Sequence, residues 1–577
     1  MNRTWWILLF LLSPVAFCHG QAVVFSHEGG FYADTFSLAM QTLYAPDGEP
    51  FSIHYTLNGN TPTECDALYE RPLPLGRECY SPSKLFRVPT VPAERWFAPE
   101  EVERIIVVRA AAFDSAGLRR SPVTTHSYLI DSLLGRRISL PVVSLCADSL
   151  SLFDSDTGLM VPGWYFDERY PYSTGNYFQR GRAWERTAAM AYYAPDGTST
   201  GQDCGLRVHG NSQRVLAQKG LSLYARREYG GRRFDYPFFG DGRPSGYSRL
   251  VLRPWATSWS GAGIEDWLCQ QLAEPLRFDH LATRPVTLFL NGEYWGIYFL
   301  EEKADEHYVE EHYGLPHEEV DLLAYWGGEV ENGTAQRWNT FAEWMLTDGT
   351  DLDRMAAQVD TGGVMDYMLM QCLILNDDWL VSNVRQWAVG NGPWHWLFFD
   401  ADGALSSFPD NAAILDYMTY NASGPSSHTS PQATLLFRRL LANRSFLEAS
   451  MVRMHEIVDT HFDYSRTGAL LQAIVSEVES EVPSQIRRFD KPTSMLRWRM
   501  ALEVIDDFLR TEPQAMVNEY AQYFGLAMPD DEEDCTVYDP CGRLVASGHS
   551  VPVRASLTKG VYFVRLRGNK VAKWTVE

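Results

Sequence analysis

Asp377-Asp-Trp-Leu-Val-Ser-Asn383 and the run that follows it, Trp394-His-Trp-Leu-Phe-Phe-Asp-Ala-Asp-Gly403, decide how the middle of this chain is built. Upstream, Val364 to Asn376 carries apolar residues at three- and four-residue spacing, the period of a helix, and runs straight into Asp377. The second run is apolar and aromatic, and it reads as a strand that delivers Asp400 and Asp402 at its end. Two carboxylates at a strand end are hard oxygen donors, the type that suits Mg²⁺ or Mn²⁺. Asp378 and Asn383 bracket the loop in an Asp-x-x-x-x-Asn relation. Any acidic loop can contain that spacing, so its weight comes from its place between the helix and the Asp-rich strand end. Trp394 and Trp396 read as core residues.

Outward from this stretch, a middle region of residues 138–525 divides in two. Its first half has strand-like runs such as Gly205 to His209, Gly220 to Ala225 and Val286 to Leu290. Its second half is helical, with helical spacing also over Phe341 to Leu346, Thr434 to Leu441 and Leu496 to Phe508. A central α+β domain is expected. On either side the pattern is β. Residues 21–132 hold short strands such as Ile53 to Leu57 and Ile105 to Phe113, separated by turns such as Asn58-Gly-Asn60, and predict a small β-sandwich. Residues 533–577 alternate apolar and polar positions around a glycine turn and predict a second, smaller β-sandwich. The fold class is therefore multidomain.

At 577 residues the chain is too long for one core, and 45% apolar composition is enough to bury several. The net charge of -23 repels phosphate backbones, which excludes nucleic acid as an expected partner. Residues 1–20 read as a signal peptide: Arg3, the apolar run Trp5 to Leu12, helix-breaking Ser13 and Pro14, then small or polar residues. Phe17 before Cys18 is bulkier than a lipidation signal usually takes. That run is too short to span a bilayer and no later segment qualifies, so no transmembrane anchor is expected. Of nine cysteines, Cys65 with Cys79 and Cys535 with Cys541 are spaced to close small loops, while Cys146, Cys204, Cys269 and Cys372 lie in apolar segments and read as buried thiols.

Several runs carry family resemblances. Leu140-Pro-Val-Val-Ser-Leu145, Arg207-Val-His-Gly-Asn-Ser212, Gln218-Lys-Gly-Leu-Ser-Leu-Tyr-Ala-Arg226 and Leu290-Asn-Gly-Glu-Tyr-Trp-Gly-Ile-Tyr-Phe-Leu-Glu-Glu-Lys-Ala-Asp305 resemble, in that order, the spore coat protein H (CotH) kinase family. Val24 to Tyr32 with Ile53 to Thr63 resembles the immunoglobulin-like module at the C-terminal end of chitobiases and β-hexosaminidases, an accessory in those proteins. Val537-Tyr-Asp-Pro-Cys-Gly-Arg-Leu-Val545 with Leu557-Thr-Lys-Gly-Val-Tyr-Phe-Val-Arg-Leu566 is similar to the C-terminal sorting domain of the type IX secretion system. These resemblances imply an exported, atypical protein-kinase-like enzyme, carried by the type IX machinery through the periplasm of a Bacteroidetes-type bacterium to the surface or beyond.

What the kinase resemblance implies for the site follows phosphoryl-transfer chemistry, in which a lysine holds phosphates, a glutamate orients it, and Asp and Asn hold divalent metal. Lys219 and Glu302 become the clamp on ATP with Arg207 beside them, Asp378 the catalytic base, and Asn383, Asp400 and Asp402 the ligands of Mg²⁺ or Mn²⁺. The acceptor would be an exported or surface protein. Leu380 and Val381 stand where relatives often carry Pro and Gly, and Gly403 where an aromatic often follows, so the loop is expected to differ in shape. The alternative is a non-catalytic adhesin or envelope protein built on a pseudokinase. Other chemistries lack a motif: His307 and His312, five apart, do not share a helical face, His-Glu-x-x-His is absent, and that segment reads as a solvated amphipathic helix. A glycosidase carboxylate pair has numbers behind it but no motif of its own.

Overall fold

The computed structural model describes residues 22–42, 51–259, 261–347, 349–380, 382–406, 409–422, 429–526, 534–540, 543–549, 557–565 and 571–576. The expected signal peptide and the acidic stretch before Asp534 lie outside them.

Among the described residues the centre is a closed barrel of seven strands, in the order Val142–Cys146, Arg186–Tyr193, Ser199–Val208, Leu221–Tyr224, Arg249–Pro254, Glu293–Glu302 and Thr283–Leu290. Neighbours are antiparallel except the closing pair, Val142–Cys146 with Thr283–Leu290. Strand side chains alternate between faces, and this sets everything that follows. Leu206, Val208, Leu221, Leu223, Leu250, Leu252, Tyr298 and Leu300 pack together inside the barrel. Their alternate neighbours along each strand, Arg207, Ser222, Arg253 and Glu301 among them, therefore point outward.

The barrel's outer face is covered from two sides. On one, Ile106–Phe113 is buried along its whole length. Its even residues Ile106, Val108, Ala110 and Ala112 close a small N-terminal core with Val23, Leu38 and Ile53. Ile105 and Val107 instead pack on Val142, Cys146, Phe289 and Tyr294 of the barrel. The N-terminal β region is thus joined to the barrel by a shared apolar layer. On the other side lies a five-stranded mixed sheet, Asp279–His280, His395–Phe398, Arg385–Val389, Val320–Ala324 and Glu329–Asn332. The helical half packs behind it, ending in the long helix Met495–Phe524. The C-terminal residues form a single four-stranded antiparallel sheet over Val537, Tyr562 and Val564. Among the described residues that is one layer where a sandwich was expected.

The expected helix over Val364 to Asn376 is Thr361–Leu373, started by Asp360, whose carboxylate accepts from Gly363 N. Trp394, Trp396 and the four apolar-segment cysteines are buried. Cys65 and Cys79 are both free thiols, not a disulfide: Cys65 is exposed, and Cys79 is buried with its thiol donating to Pro74 O. Cys541 lies outside the described residues.

Candidate active site

A cleft of about 780 Å³ separates the barrel's outer face from the mixed sheet and the loops behind it. The strands supply one wall. Arg207, Ser222, Arg253 and Glu301 reach it because they are out of phase with the leucines of the barrel interior, and Lys303 follows in the same phase as Glu301. The turn Gly210–Gln213 closes one end. The opposite wall is Asp378, Asn383 and Asp400, on the loops that follow helix Thr361–Leu373 and strand His395–Phe398.

The loop wall is held in place by hydrogen bonds. Asn383 Nδ2 donates to Asp378 Oδ2 at 2.9 Å and to Asp400 O at 3.3 Å, so one amide ties the two expected loops together. Asn383 and Asp400 both take positive φ, 54° and 61°, and so do Leu380 and Leu405, at 83° and 61°. Positive φ is costly for a residue with a Cβ and persists where the surroundings enforce it. Trp326 Nε1 donates to Leu380 O at 2.6 Å, and Leu405 N to Ile374 O at 2.9 Å. At Gly403 a Cβ would lie 2.7 Å from Asp377 Oδ1.

Between the walls sits Arg253, buried and ion-paired to Asp400, to Asp402 at 3.0 Å and to Asp266 at 3.7 Å. Burial opposes its charge, yet these carboxylates raise its pKa well above the ordinary value. Asp400 lines the cleft, while Asp402 turns to Arg253 and to Gln213 Nε2 at 3.4 Å. Glu301 is buried with Oε2 lacking a hydrogen-bond partner. Burial first, and then Asp266, Asp400 and Asp402, push its carboxyl well above the usual range against the pull of Arg253. Four carboxylates thus crowd Arg253, and Asp378 and Asn383 add further oxygens beside Asp400. Asp378, Asn383 and Asp400 line the cleft with oxygen donors, the donor type that fits Mg²⁺ or Mn²⁺.

The barrel wall has the opposite character around His209. Burial first, and then Lys303, Arg253 and Arg214 on this side and Arg385 across the cleft, depress this imidazole's pKa well below its ordinary value.

The structure does not bring Lys219 and Glu302 together. Lys219 precedes strand Leu221–Tyr224 and is fully buried away from the cleft. Its Nζ donates to Arg214 O at 2.8 Å and Leu216 O at 2.9 Å and lies 3.8 Å from the Tyr177 ring centre. The phosphate clamp read from the sequence is therefore corrected: the ammonium as well as the stem is buried, and it braces the turn that closes the cleft. Glu302 is equally committed, accepting from Ala282 N at 2.7 Å and pairing with His312 Nε2 at 2.6 Å. Arg207 does line the cleft, over the Tyr224 ring at 4.0 Å.

The lysine that lines the cleft is Lys303, which sequence reasoning passed over together with Arg253 and Glu301. Lys303 Nζ pairs with Asp305 at 2.8 Å, and Arg249 shares the same carboxylate at 2.6 Å. Although burial opposes it, these two cations hold Asp305 well below the usual carboxylate range.

A family model described as CotH kinase protein matches residues 206–516, more than half of the chain. The chain belongs to the CotH kinase family. The matched stretch begins on the strand that carries Arg207 and runs through both walls of the cleft into the last long helix. Membership of the CotH family points to kinase activity in general, and with it to ATP and a divalent metal. No curated protein matches the chain.

Proposed function

We propose that the protein is an exported atypical kinase that transfers the γ-phosphoryl group of ATP to a hydroxyl on an exported or surface protein. The observation that carries this reading is the polarity of the cleft, with cations on the strand wall facing clustered carboxylates and an amide on the loop wall. A metal-bound polyphosphate has the matching polarity.

In this reading Arg207 and Lys303 hold phosphate oxygens, taking the role first read onto Lys219. Asn383 and Asp400 hold Mg²⁺ or Mn²⁺, with Asp402 kept behind them by Arg253. When bound, the metal neutralises charge on the transferring phosphates. Asp378 accepts the proton of the acceptor hydroxyl as its oxygen bonds to phosphorus and the bond to the β-phosphate oxygen breaks. Asn383 Nδ2, already on Asp378 Oδ2, orients that carboxylate toward the cleft. Glu302, through His312, and Lys219, through the closing turn, are positioning residues. Calorimetry with nucleotide and Mn²⁺ tests the assignment. Asp400→Ala should lose the metal dependence of binding and Asp402→Ala should weaken it; unchanged metal dependence in both would rule the site out.

The burial of Lys219 favours a second reading, a pseudokinase scaffold that binds nucleotide without transfer. A folded wild-type protein with metal-dependent nucleotide affinity and no transfer to any acceptor would establish it. We further read the N-terminal β region as an immunoglobulin-like accessory and the C-terminal sheet as a type IX sorting domain. Deleting residues 533–577 should leave the enzyme active but in the periplasm, and normal surface delivery of the truncated chain would rule the sorting role out.

A further inference from the structure

The helix Glu306–Tyr313 and the turn after it contain a second arrangement of ligating side chains, outside the phosphoryl-transfer residues. His307 and Glu310 lie one turn apart on the helix. His317 comes back against them from the short 3₁₀ turn His317–Glu319. His307 Nδ1 is 3.2 Å and His317 Nδ1 2.9 Å from the same oxygen, Glu310 Oε2, and the two rings are stacked 4.1 Å apart. One ligand atom from each residue can be chosen so that all lie within 4.8 Å of one another.

We propose that His307, Glu310 and His317 form a binding site for a divalent d-block cation of the Zn²⁺ class, with water completing the shell. Two imidazoles and one carboxylate select such a cation over Mg²⁺ or Ca²⁺, which take all-oxygen sets. Two further carboxylates lie outside the ligand set. Each histidine that turns Nδ1 to the centre has a carboxylate at its other nitrogen: Glu306 at 3.6 Å from His307 Nε2, and Glu318 at 3.4 Å from His317 Nε2. At those distances they add negative charge beside the ligand set. Arg249 lines the same small pocket as the three ligands. Arg249 is itself neutralised by Asp305 and Glu306 at 2.6 and 3.1 Å. Backbone support comes from Asn332, whose amide donates to His317 O at 2.8 Å.

His312, five residues from His307, points away to Glu302. The missing ligand is His317, beyond the turn at Gly314, where helical spacing no longer applies. Occupancy would fasten that turn to a helix whose N-cap, Asp305, holds Lys303, and whose His312 holds Glu302.

The test is titration of chelator-treated protein with Co²⁺ in excess Mg²⁺, which fills all-oxygen sites and competes poorly for imidazole. The wild type should develop the visible d–d absorption of a low-coordinate nitrogen-ligated Co²⁺, bind a single ion and release it to Zn²⁺. His317→Ala and His307→Ala should lose that spectrum. Glu318→Gln, on an exposed side chain, should keep the stoichiometry and the spectrum. The proposal is overturned if folded wild type gives no such absorption, or if His317→Ala binds Co²⁺ as wild type does. The readout needs no nucleotide, so its outcome is separate from that of the kinase reading.

Discussion

The two walls of the cleft are built by opposite means, the strand wall carrying most of its cations and the loop wall Asp378 and Asp400. The strand wall is positioned by the barrel: each strand buries one set of alternate residues in the apolar interior, and Arg207, Arg253 and Lys303 fall on the other set. The loop wall has no such lattice. Asp378, Asn383 and Asp400 are fixed by an amide that ties two loops and by backbone at positive φ. The strand wall thus tolerates changes that keep the alternation, whereas the loop wall depends on individual hydrogen bonds. A corollary concerns the two lysines. Lys219 is in phase with Leu221 and Leu223, which face the interior, and Lys303 is in phase with Ile297, Phe299 and Glu301, which face out.

The sharpest way to break this comparison is to alter one residue of each wall. Asp378→Asn keeps the shape of the side chain and removes its basicity. Turnover should fall about 10²–10⁴-fold with nucleotide affinity nearly intact, because a general base acts mainly in the transition state. Wild-type autophosphorylation in this variant would remove Asp378 from the mechanism. Lys303→Ala should behave differently and weaken nucleotide binding by roughly 10–150-fold, the loss of a charged hydrogen bond of about 1.5–3 kcal/mol. Affinity equal to wild type would show that Lys303 is not the clamp.

Those predictions rest unequally on the sequence. The loop wall was legible because its residues are close in the chain: Asp378 and Asn383 follow a helix, and Asp400 and Asp402 follow a strand, that periodicity locates. The clamp was misread because Lys219 was taken without its phase. Apolar Leu221 and Leu223 alternate with Ser222 and Tyr224, and extending that alternation back places Lys219 on the interior side. Arg253 and Glu301 could not be paired with Asp400 from sequence at all, since their contact depends on how the barrel and the mixed sheet are stacked. The same holds for the shared layer between Ile106–Phe113 and the barrel: the strand was legible, the second face it covers was not.

A third substitution sharpens the contrast between the lysines. Lys219→Met leaves the buried carbonyls of Arg214 and Leu216 without their donor, at about 1–3 kcal/mol for each group. The melting temperature should drop by several degrees, at roughly 2–4 °C per kcal/mol for larger domains. The folded fraction should keep wild-type affinity for nucleotide. A loss of affinity with unchanged melting temperature would return Lys219 to the clamp.

The smallest expected effect concerns the seam between the N-terminal region and the barrel. Glu293 is fully buried, and it accepts from Leu85 N at 3.1 Å and Phe86 N at 2.6 Å. Burial, opposed by those two N–H groups, pushes its carboxyl up to about 7 from an ordinary 4.5. A raised acid favours the folded state in its protonated form, so this contribution is full below about pH 4.5 and is lost as pH rises through about 7. The melting temperature of wild type relative to Glu293→Gln should therefore decline over that window. A difference independent of pH would contradict the assignment.

The central claim is that the polarised cleft transfers phosphate, and single-turnover transfer from γ-labelled ATP tests it most directly. Purified wild type, Asp400→Ala and Asp378→Asn would be compared with Mn²⁺, with Mg²⁺ and with chelator, each shown to be folded by circular dichroism. The account predicts label on protein hydroxyls in the wild type only when metal is present, and none above background in either variant. Labelling that persists in both variants, or in chelator, would place the chemistry somewhere other than this cleft.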